Sequence, residues 1–304
     1  MLASLEGAVT AAVLMLTALG LSLVFGVMRV VNVAHGEFFM LGAVLAWWIA
    51  TAIGGHPAFG FVAALVVAPL LVGLIAALAD MTILKRINYD PERTIVATIG
   101  LLYIIQQVTL MTYGPEARPV EAPFNSRILL PLLDWSAGFP KVYFPTGWGA
   151  PSITSYKLFV IGAAAAVMVS VWVLMTRTKI GLIMRATQLD GEMAQAFGIP
   201  IERVYAFVFG LGAALAALGA VLVVPIQQAH YLMGHDPLLL SFIVVIIGGL
   251  GSLPGTVVAA ILIGMSDGII SVFFTPTLAK IIATLLVALV LVFRPQGLFG
   301  TRAA

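Results

Sequence analysis

The sequence contains several uninterrupted apolar stretches that are about as long as a membrane-crossing helix. GAVTAAVLMLTALGLSLVFGVM at residues 7–28 and GFVAALVVAPLLVGLIAALA at residues 60–79 both reach the roughly 20 residues that a helix needs to cross a bilayer. A soluble core cannot absorb them, because the chain is 62% hydrophobic and only 9% charged, with a mean hydropathy of +1.12. The sequence therefore predicts an all-α polytopic membrane protein of about eight or nine transmembrane helices.

The predicted segments form one transmembrane domain over residues 1–304. A first group at about 7–113 is followed by a long outer loop at 114–155, and a polar stretch at 177–203 precedes a second group at about 204–294. The segments are 7–28, 38–53, 59–79, 94–113, 156–176, 204–226, 237–247, 255–274 and 278–293. The first run lacks the basic start and short length of a removable signal peptide.

The lysines and arginines set the predicted orientation. With the N-terminus outside, about ten of the 15 basic residues fall on the cytoplasmic side, and three of the others lie in the long outer loop. Cytoplasmic loops of membrane proteins carry an excess of lysine and arginine. The sequence therefore predicts an N-terminus outside and a C-terminus inside.

Two apolar segments resemble each other. LGLSLVFGVMRVVNVAHGEFFML begins at Leu19 and LGAVLVVPIQQAHYLMGHDPLLL begins at Leu218, and their alignment places Glu37 on Asp236. Under the predicted orientation the two copies run in opposite directions, which is the inverted repeat common among transporters. Chance similarity between two apolar segments explains the likeness equally well. If the repeat is real, the short segments at 38–53 and 237–247 predict broken or short helices beside a translocation path.

VNVAHGEFF, residues 31–39, places polar groups between two apolar runs. A carboxylate near the middle of a membrane costs roughly 2.5–3.5 kcal/mol, so it usually faces the bundle interior or an aqueous path. Glu37 in a tight interfacial loop, stabilising the start of the next helix, is an equally good interpretation. GGLGSLPGT, residues 248–256, cannot sustain a regular helix and predicts either a tight turn or unwound backbone beside the path. The candidate path residues are Asn32, His35, Gly36, Glu37, Gly248, Gly249, Gly251, Ser252 and Asp267.

RATQLDGEMAQAFGIP, residues 185–200, predicts an amphipathic helix on the cytoplasmic side. Its apolar residues recur at helical spacing, and Gly198 and Pro200 mark its end, so one helix of about 12 residues is expected. A helix lying in the lipid headgroups would carry a basic polar face, which this one lacks, so a soluble partner fits better. The candidate contact residues are Arg185, Ala186, Leu189, Asp190, Glu192, Met193, Ala196, Phe197 and Gly198.

Several classes of chemistry are excluded. The chain has no cysteine, so disulfides and thiol catalysis are absent. The histidines at 56, 230 and 235 have no metal-ligand spacing and are predicted to be solvated loop residues. No nucleophile–base set and no phosphate-binding Walker A sequence is present, so we expect no catalytic residue, no metal and no cofactor in this chain.

Four stretches carry a resemblance to a known family. GLSLVFGVMRVVNVAHGEFFMLGA, RATQLDGEMAQAFGIPIERVYAFVF, VVIIGGLGSLPGTVVAAILIG and FRPQGLFG together resemble the inner-membrane permeases of branched-chain amino acid ABC importers, and best the first of the two paired permease subunits. The resemblance covers about residues 10–300. It implies a multi-pass protein of the bacterial inner membrane, with residues 185–198 as the helix that docks on an ATPase subunit. It also implies a second, related permease and a periplasmic binding protein as partners.

The cargo and the energy source leave alternatives. Related permeases with similar motifs transport urea and short amides. The resemblance therefore indicates the class of transporter more firmly than its substrate. An ion-coupled carrier working alone would use Glu37, Asp236 or Asp267 as its coupling acid. Such a carrier has no use for a capped cytoplasmic helix with an exposed apolar stripe. We therefore expect an ATP-driven permease subunit.

Overall fold

The fold is almost entirely helical in the computed structural model, which describes residues 2–129, 132–134, 141–143, 152–273, 278, 281–282, 285, 289 and 297–299. The helices are α1 (Leu2–Met28), α2 (His35–Ile53), α3 (Pro57–Ala79), α4 (Pro91–Tyr113), α5 (Ser155–Arg177), α6 (Lys179–Leu189), α7 (Gly191–Ala196), α8 (Ile201–Gln227), α9 (His235–Gly248) and α10 (Leu253–Phe273). Two antiparallel strand pairs lie between α4 and α5: β1 (Arg127–Leu129) with β4 (Ser152–Thr154), and β2 (Leu132–Asp134) with β3 (Lys141–Tyr143).

The predicted class, an all-α polytopic membrane protein, is confirmed. Seven helices in the described part of the chain are long and apolar enough to cross a membrane: α1, α2, α3 with its extension to Ile87, α4, α5, α8 and α10. The expectation of a short second segment is wrong, because α2 begins at His35 and has 19 residues. The short counterpart is present, since α9 has 14 residues. Most of the predicted last segment, 278–293, lies outside the described residues.

Helices α1 and α8 form the centre of the bundle and run antiparallel. Glycines bring their backbones together, because a Cβ atom on Gly20 would lie 2.3 Å from the carbonyl oxygen of Gly212. A second close contact joins α1 to α10, where a Cβ atom on Gly264 would lie 2.4 Å from the Cα of Ala11. Small residues allow helices to approach closely in a membrane, where lipid supplies no hydrophobic drive between them.

The packing of the first three helices corresponds to that of the last three. α1 packs on α9 and α10, α8 packs on α2 and α3, and the pairs α2–α3 and α9–α10 are also neighbours. The loops after α1 and α8 both begin with a non-glycine residue in the left-handed region, Arg29 at φ 55° and Gln228 at φ 67°. An inverted repeat produces this correspondence. The repeat boundaries at about 7–113 and 204–294 stay a prediction.

One end of the bundle, here called the Glu6 end, lies beside the start of α1. The Glu6 carboxylate pairs with the Lys157 ammonium at the start of α5. The hydroxyl of Tyr113 donates to the carbonyl of Ala229 at 2.9 Å, which joins the end of α4 to the loop after α8. The guanidinium of Arg118 lies over the ring of Tyr113 at 4.7 Å. These contacts fix the start of the long loop at 114–155 on the bundle.

The opposite end, here called the Arg29 end, carries α6, α7 and the turn between α3 and α4. Helix α3 continues through a π-helical turn, Asp80–Leu84, and a 3₁₀ turn, Lys85–Ile87. Helix α4 then starts after Asp90, whose carboxylate accepts from the Arg93 amide at 2.9 Å. Pro91 at the first helical position completes this start signal.

Candidate functional site

Helices α2 and α9 begin against each other in the middle of the bundle. A Cβ atom on Gly36 would lie 2.4 Å from the carbonyl oxygen of Gly234, and a Cβ atom on Gly234 would lie 2.1 Å from that of Gly36. The level of this junction follows from His35, whose ring Nε2 lies 2.9 Å from the carbonyl of Thr17, near the midpoint of α1. The loops at 29–34 and 228–234 therefore turn back into the bundle before each new helix starts.

The polar trio of the first loop is buried at this junction. Asn32, His35 and Glu37 are at most 1% exposed. The Asn32 side-chain oxygen accepts from the Ala34 amide at 3.0 Å, which shapes the turn into α2. Glu37 lies in the first turn of α2, where a helix start favours a negative charge. An interfacial loop, one of the two interpretations of this stretch, does not fit, because all three side chains are inside the bundle.

His235 is the polar residue that sequence reasoning placed wrongly. It is the first residue of α9, its Nε2 lies 3.8 Å from Glu37 Oε1, and the Gln106 side-chain nitrogen lies 3.2 Å from the same Nε2. The predicted loop position is therefore wrong for His235, although its side chain is 51% exposed. Gln106 on α4 was not singled out at all, although a glutamine well inside an apolar segment is itself a signal.

Asp267 lies apart from the junction, beside a cavity of about 310 Å³ toward the Glu6 end. The cavity is lined by residues of α1, the end of α8, the loop that follows it and the start of α9, with Phe39 of α2 and Asp267 of α10. Its walls are mainly apolar, with three acids and His230 among the polar groups. Lining residues used below are Glu6, Val13, Phe39, Asp236, Leu240 and Asp267. The first turn of α9 therefore stands between two regions, with Asp236 at the cavity and His235 beside Glu37 and Gln106.

The glycine-rich stretch forms a turn at the Arg29 end. Only residues 249–252 lie outside helices, so the expected disruption across all of 248–256 is wrong. Gly248 and Gly255 pack closely, since a Cβ atom on Gly255 would lie 1.9 Å from the Gly248 carbonyl oxygen. Gly249 and Gly251 have φ values of 101° and 78°, a region that glycine adopts without strain. The stretch is thus a tight turn between two packed helices, one of the two predicted interpretations.

Hydrogen bonds join this turn to the predicted docking segment. The Gln188 side chain donates to the Gly251 carbonyl at 3.4 Å, and Arg29 donates to the Gln188 carbonyl at 3.3 Å. A Cβ atom on Gly251 would also lie 2.9 Å from the Cα of Gly26 in α1. A displacement of Gln188 would therefore reach both the end of α1 and the start of α10.

The docking segment is two helices, so the expected single helix over 185–198 is wrong. Helix α6 ends at Leu189 and α7 begins at Gly191. Asp190 is the residue between them, and its carboxylate accepts from the Met193 amide at 2.9 Å, which caps α7. A short polar side chain that satisfies backbone amides in this way favours a new helix start over continuation. The segment ends at Gly198, whose φ is 85°, as its predicted capping position requires.

The break leaves the apolar stripe on the surface. Leu189 and Phe197 are each 81% exposed and Met193 is 54% exposed. Arg185, Glu192 and Ala196 are exposed as well, whereas Ala186 is half-buried beneath them. A neighbouring cavity of about 490 Å³ lies between this segment, the end of α1 and Tyr205 of α8. The arrangement presents apolar side chains to a partner, and the role of these residues in docking stays a prediction.

A buried acid lies in the α3–α4 turn at the Arg29 end of the bundle. Asp80 is fully buried, and its Oδ2 accepts from the Tyr89 hydroxyl at 3.4 Å. Burial, and then the nearby Asp80 carboxylate, raise the pKa of Tyr89, so its hydroxyl stays protonated and donates. The Tyr89 ring packs edge-on against Tyr205 at 4.7 Å between centroids. Elsewhere in the described residues, no group of three or more histidine or acidic side chains is placed to hold a metal ion.

Comparison with known proteins gives a consistent result. Residues 4–291 match the family described as branched-chain amino acid transport system / permease component. The high-affinity branched-chain amino acid transport system permease protein LivH of Escherichia coli K12 is 25% identical over 300 residues, 94% of this chain and 90% of that protein. The probable branched-chain amino acid transport permease protein LivH of Methanocaldococcus jannaschii is 26% identical over 305 residues, 97% of this chain and 91% of that protein.

A relative with another cargo in its name also matches. The glucose ABC transporter permease protein TsgB13 of Haloferax volcanii is 28% identical over 210 residues, 67% of this chain and 52% of that protein. No solved structure gives a significant match.

Proposed function

The chain belongs to the family of branched-chain amino acid transport permease components, and from that premise we propose that it is one membrane-spanning subunit of an ATP-driven importer of hydrophobic amino acids. The match over residues 4–291 supports the permease role. The exposed stripe of Leu189, Met193 and Phe197 is the observation that carries the ATP-driven part. The chain itself has no Walker A sequence, so a separate subunit would hydrolyse the ATP.

The stripe fits a protein partner better than solvent or lipid. Large apolar side chains that stay exposed together mark interaction sites, and their neighbours here are acidic or amide groups, not the basic groups that headgroups attract. Arg185, Ala186, Asp190, Glu192, Ala196 and Gly198 would complete the contact with the ATPase. The links from Gln188 to Arg29 and Gly251 would carry a movement of this segment into the bundle.

The Arg29 end would face the cytoplasm. Most of the basic residues in the described chain lie there, and cytoplasmic surfaces of membrane proteins carry that excess. They are Arg29, Lys85, Arg86, Arg93, Arg177, Lys179, Arg185 and Arg203. Because the chain has no cysteine, a single cysteine can be introduced at each end of the bundle, as Glu192→Cys at the Arg29 end and His56→Cys at the Glu6 end. An impermeant thiol reagent then shows which end faces the outside of the cell. Labelling of His56→Cys alone in intact cells would agree with this orientation, and labelling of Glu192→Cys alone would reverse it.

The translocation path would run beside the two helix starts. Asn32, His35, Gly36 and Glu37 lie at that junction, and Gly248, Gly249, Gly251 and Ser252 form the turn that meets the docking segment. Asp267 would contribute from the cavity near the Glu6 end. Helix starts and unwound backbone can stabilise the charged groups of a zwitterion without a dedicated ion pair. A second, related permease and an external binding protein would complete the machine.

The test is ATP-dependent uptake into liposomes that carry this chain with its ATPase, partner permease and binding protein. We expect uptake of labelled leucine that unlabelled valine blocks and that urea, short amides and glucose do not. Transport of urea or an amide instead would agree with an ATP-driven importer but would replace the proposed substrate. A matched sample with a hydrolysis-deficient ATPase should take up no leucine.

The same liposome system distinguishes an ion-coupled secondary carrier from an ATP-driven importer. Liposomes with this chain alone and an imposed proton or sodium gradient should take up no leucine if ATP drives the transport. Gradient-driven uptake that is lost in Glu37→Gln or Asp267→Asn would establish the carrier and overturn the ATP-driven proposal.

A further inference from the structure

Helix α4 is a membrane-crossing helix that packs only loosely on the rest of the chain. Only 22% of its most apolar stretch is buried, against 89% in α1. Its main neighbours are α2 and the turn at Asp80–Leu84. A helix bound so weakly to its own bundle is free to lie beside a crevice.

The side of α4 that faces the bundle is polar. Its buried residues are Thr94, Thr98, Ile105, Thr109 and Tyr113. Exposed residues on other faces include the apolar Ile104 and Val108, which are 60% and 54% exposed, and also Tyr103 and Gln107. The Thr98 hydroxyl donates within its own helix to the Thr94 carbonyl at 2.8 Å, and the partners that α4 finds in the two helix starts lie on its bundle side.

Those partners belong to the two helix starts. The Val33 amide donates to the Thr98 hydroxyl at 3.2 Å. Further along α4, the Gln106 side-chain nitrogen lies 3.2 Å from His235 Nε2, and the same ring nitrogen lies 3.8 Å from Glu37 Oε1. One line of polar groups thus runs from α4 across the start of α9 to the start of α2.

The exposure of these groups changes along the line. The Glu37 side chain is 1% exposed, whereas the His235 side chain is 51% exposed. The second carboxylate oxygen of Glu37 has no hydrogen-bond partner within the described chain. Since the junction lies near the midpoint of α1, an imidazole half open to lipid at this depth would be costly. Water beside α4 would remove that cost for His235, whereas the Glu37 side chain is buried behind it.

His235 lies between two polar side chains. One ring nitrogen faces both Gln106 and Glu37, and it either accepts a hydrogen bond or carries a proton and donates one. Accepting from the Gln106 amide joins α4 to α9 at 3.2 Å. Glu37 Oε1, at 3.8 Å, is beyond hydrogen-bond distance and attracts the ring only when the imidazole is protonated, so no hydrogen bond from His235 joins α9 to α2.

Resting on the proposed transport function, we infer that water reaches Gln106 and His235 in a crevice between α4 and the start of α9, with the buried Thr98 and Glu37 behind them, and that this crevice is the hydrated part of the translocation path in this chain. Hydroxyl, amide and imidazole groups both donate and accept hydrogen bonds, so they suit the head group of a small zwitterionic or uncharged solute. A fixed ion pair at this place would hold such a solute too tightly to release it.

The absence of cysteine makes the test direct, because each introduced thiol is the only one in this chain. Gln106→Cys and His235→Cys report the crevice, Val108→Cys reports the apolar side of α4, and Leu240→Cys reports the cavity toward the Glu6 end. Each variant is assembled with its partners in liposomes and treated with a cationic methanethiosulfonate, which reacts with a thiolate in water and not with a thiol in lipid. Labelling rate and ATP-driven leucine uptake are both measured.

We expect Gln106→Cys and His235→Cys to be labelled at least about tenfold faster than Val108→Cys, because only a hydrated thiol ionises. Labelling at either crevice position should abolish leucine uptake. Excess leucine should slow the labelling reaction. If one of the two crevice variants does not assemble, the other decides the test.

Two other outcomes separate the inference from the function. The first is that Leu240→Cys reacts with the reagent and loses leucine uptake while both crevice variants stay unreactive. In that case the path runs through the cavity toward the Glu6 end, and the inference is overturned. If the cysteine-free chain shows no ATP-driven uptake of any solute, the proposed function fails, whereas the labelling rates still decide which region holds water.

Discussion

Gly36 and Gly234 touch backbone to backbone where α2 and α9 begin. A Cβ atom on Gly234 would lie 2.1 Å from the Gly36 carbonyl oxygen, and that neighbour is backbone that cannot rotate away. We therefore expect Gly234→Ala to push the two helix starts apart and to destabilise the protein by about 1–3 kcal/mol, the usual cost of overpacking. The measurement is the thermal unfolding midpoint of the purified chain in detergent.

Gly162 in α5 is the matched control for that contact. A Cβ atom at this helical position meets nothing within 4 Å. Gly162→Ala should leave the midpoint unchanged or raise it, because alanine favours a helix over glycine by up to about 1 kcal/mol. Equal midpoints for Gly234→Ala and the unmodified chain would show that the junction is looser than its geometry indicates.

Helix α7 depends on one capping side chain. It has only six residues, and the Asp190 carboxylate accepts from the Met193 amide at 2.9 Å. Asp190→Ala should cost about 1 kcal/mol of local stability, whereas Asp190→Ser should retain most of it. Hydrogen exchange at residues 191–198 measures this difference. Equal protection in both variants would mean that the neighbouring backbone holds α7 without the cap.

Phe197 is the residue whose replacement should separate folding from coupling. Its side chain is 81% exposed, so Phe197→Asp removes no core contact and should leave the unfolding midpoint unchanged. If it anchors the ATPase, the change should weaken binding by about 2 kcal/mol or more, roughly 30-fold, which is the range for an interface anchor. Co-purification with the ATPase and leucine uptake measure the effect.

Gln195→Ala is the control for Phe197, since it removes an exposed polar group from α7, two residues before Phe197. It should bind the ATPase as the unmodified chain does. Normal uptake by Phe197→Asp would show that the stripe does not carry the coupling.

The membrane segments could be predicted from the sequence because each depends on a local property. The run at 94–113 is long and apolar, and α4 differs from it only at its start, where Asp90 and Pro91 add a cap and a first turn. The break at Asp190 could not be predicted from periodicity, since Leu189, Met193 and Phe197 keep helical spacing in the sequence across it. A capping carboxylate decides the break, and that choice depends on the backbone it meets.

The candidate site depends on contacts between distant parts of the chain. Gln106 and His235 are 129 positions apart, and no local pattern brings them together. The repeat alignment paired Glu37 with Asp236, but the second loop, 228–234, is one residue longer than the first, 29–34. The two helices therefore start at His35 and His235. Because of this one extra residue, the alignment did not match His35 with His235.

Tyr89 and Asp80 give a last prediction about the α3–α4 turn. The Tyr89 hydroxyl is the donor to a fully buried carboxylate whose other oxygen has no partner among the described residues. Tyr89→Phe leaves the Asp80 side chain without this donor and should cost about 1–3 kcal/mol, the penalty for a buried unsatisfied polar group. The matched control, Tyr103→Phe, changes a hydroxyl on a side chain that is 65% exposed and should have little effect.

A double replacement shows whether the loss belongs to this pair. If the contact itself stabilises the turn, Asp80→Asn combined with Tyr89→Phe should be less destabilising than the sum of the two single changes, because the second change removes a partner already lost. Because Tyr89 also packs on Tyr205 at 4.7 Å, Tyr89→Phe keeps that ring contact and isolates the hydroxyl. Unfolding midpoints that add without coupling would show that Asp80 is stabilised by other means, and that the turn is held by its rings and not by its hydrogen bond.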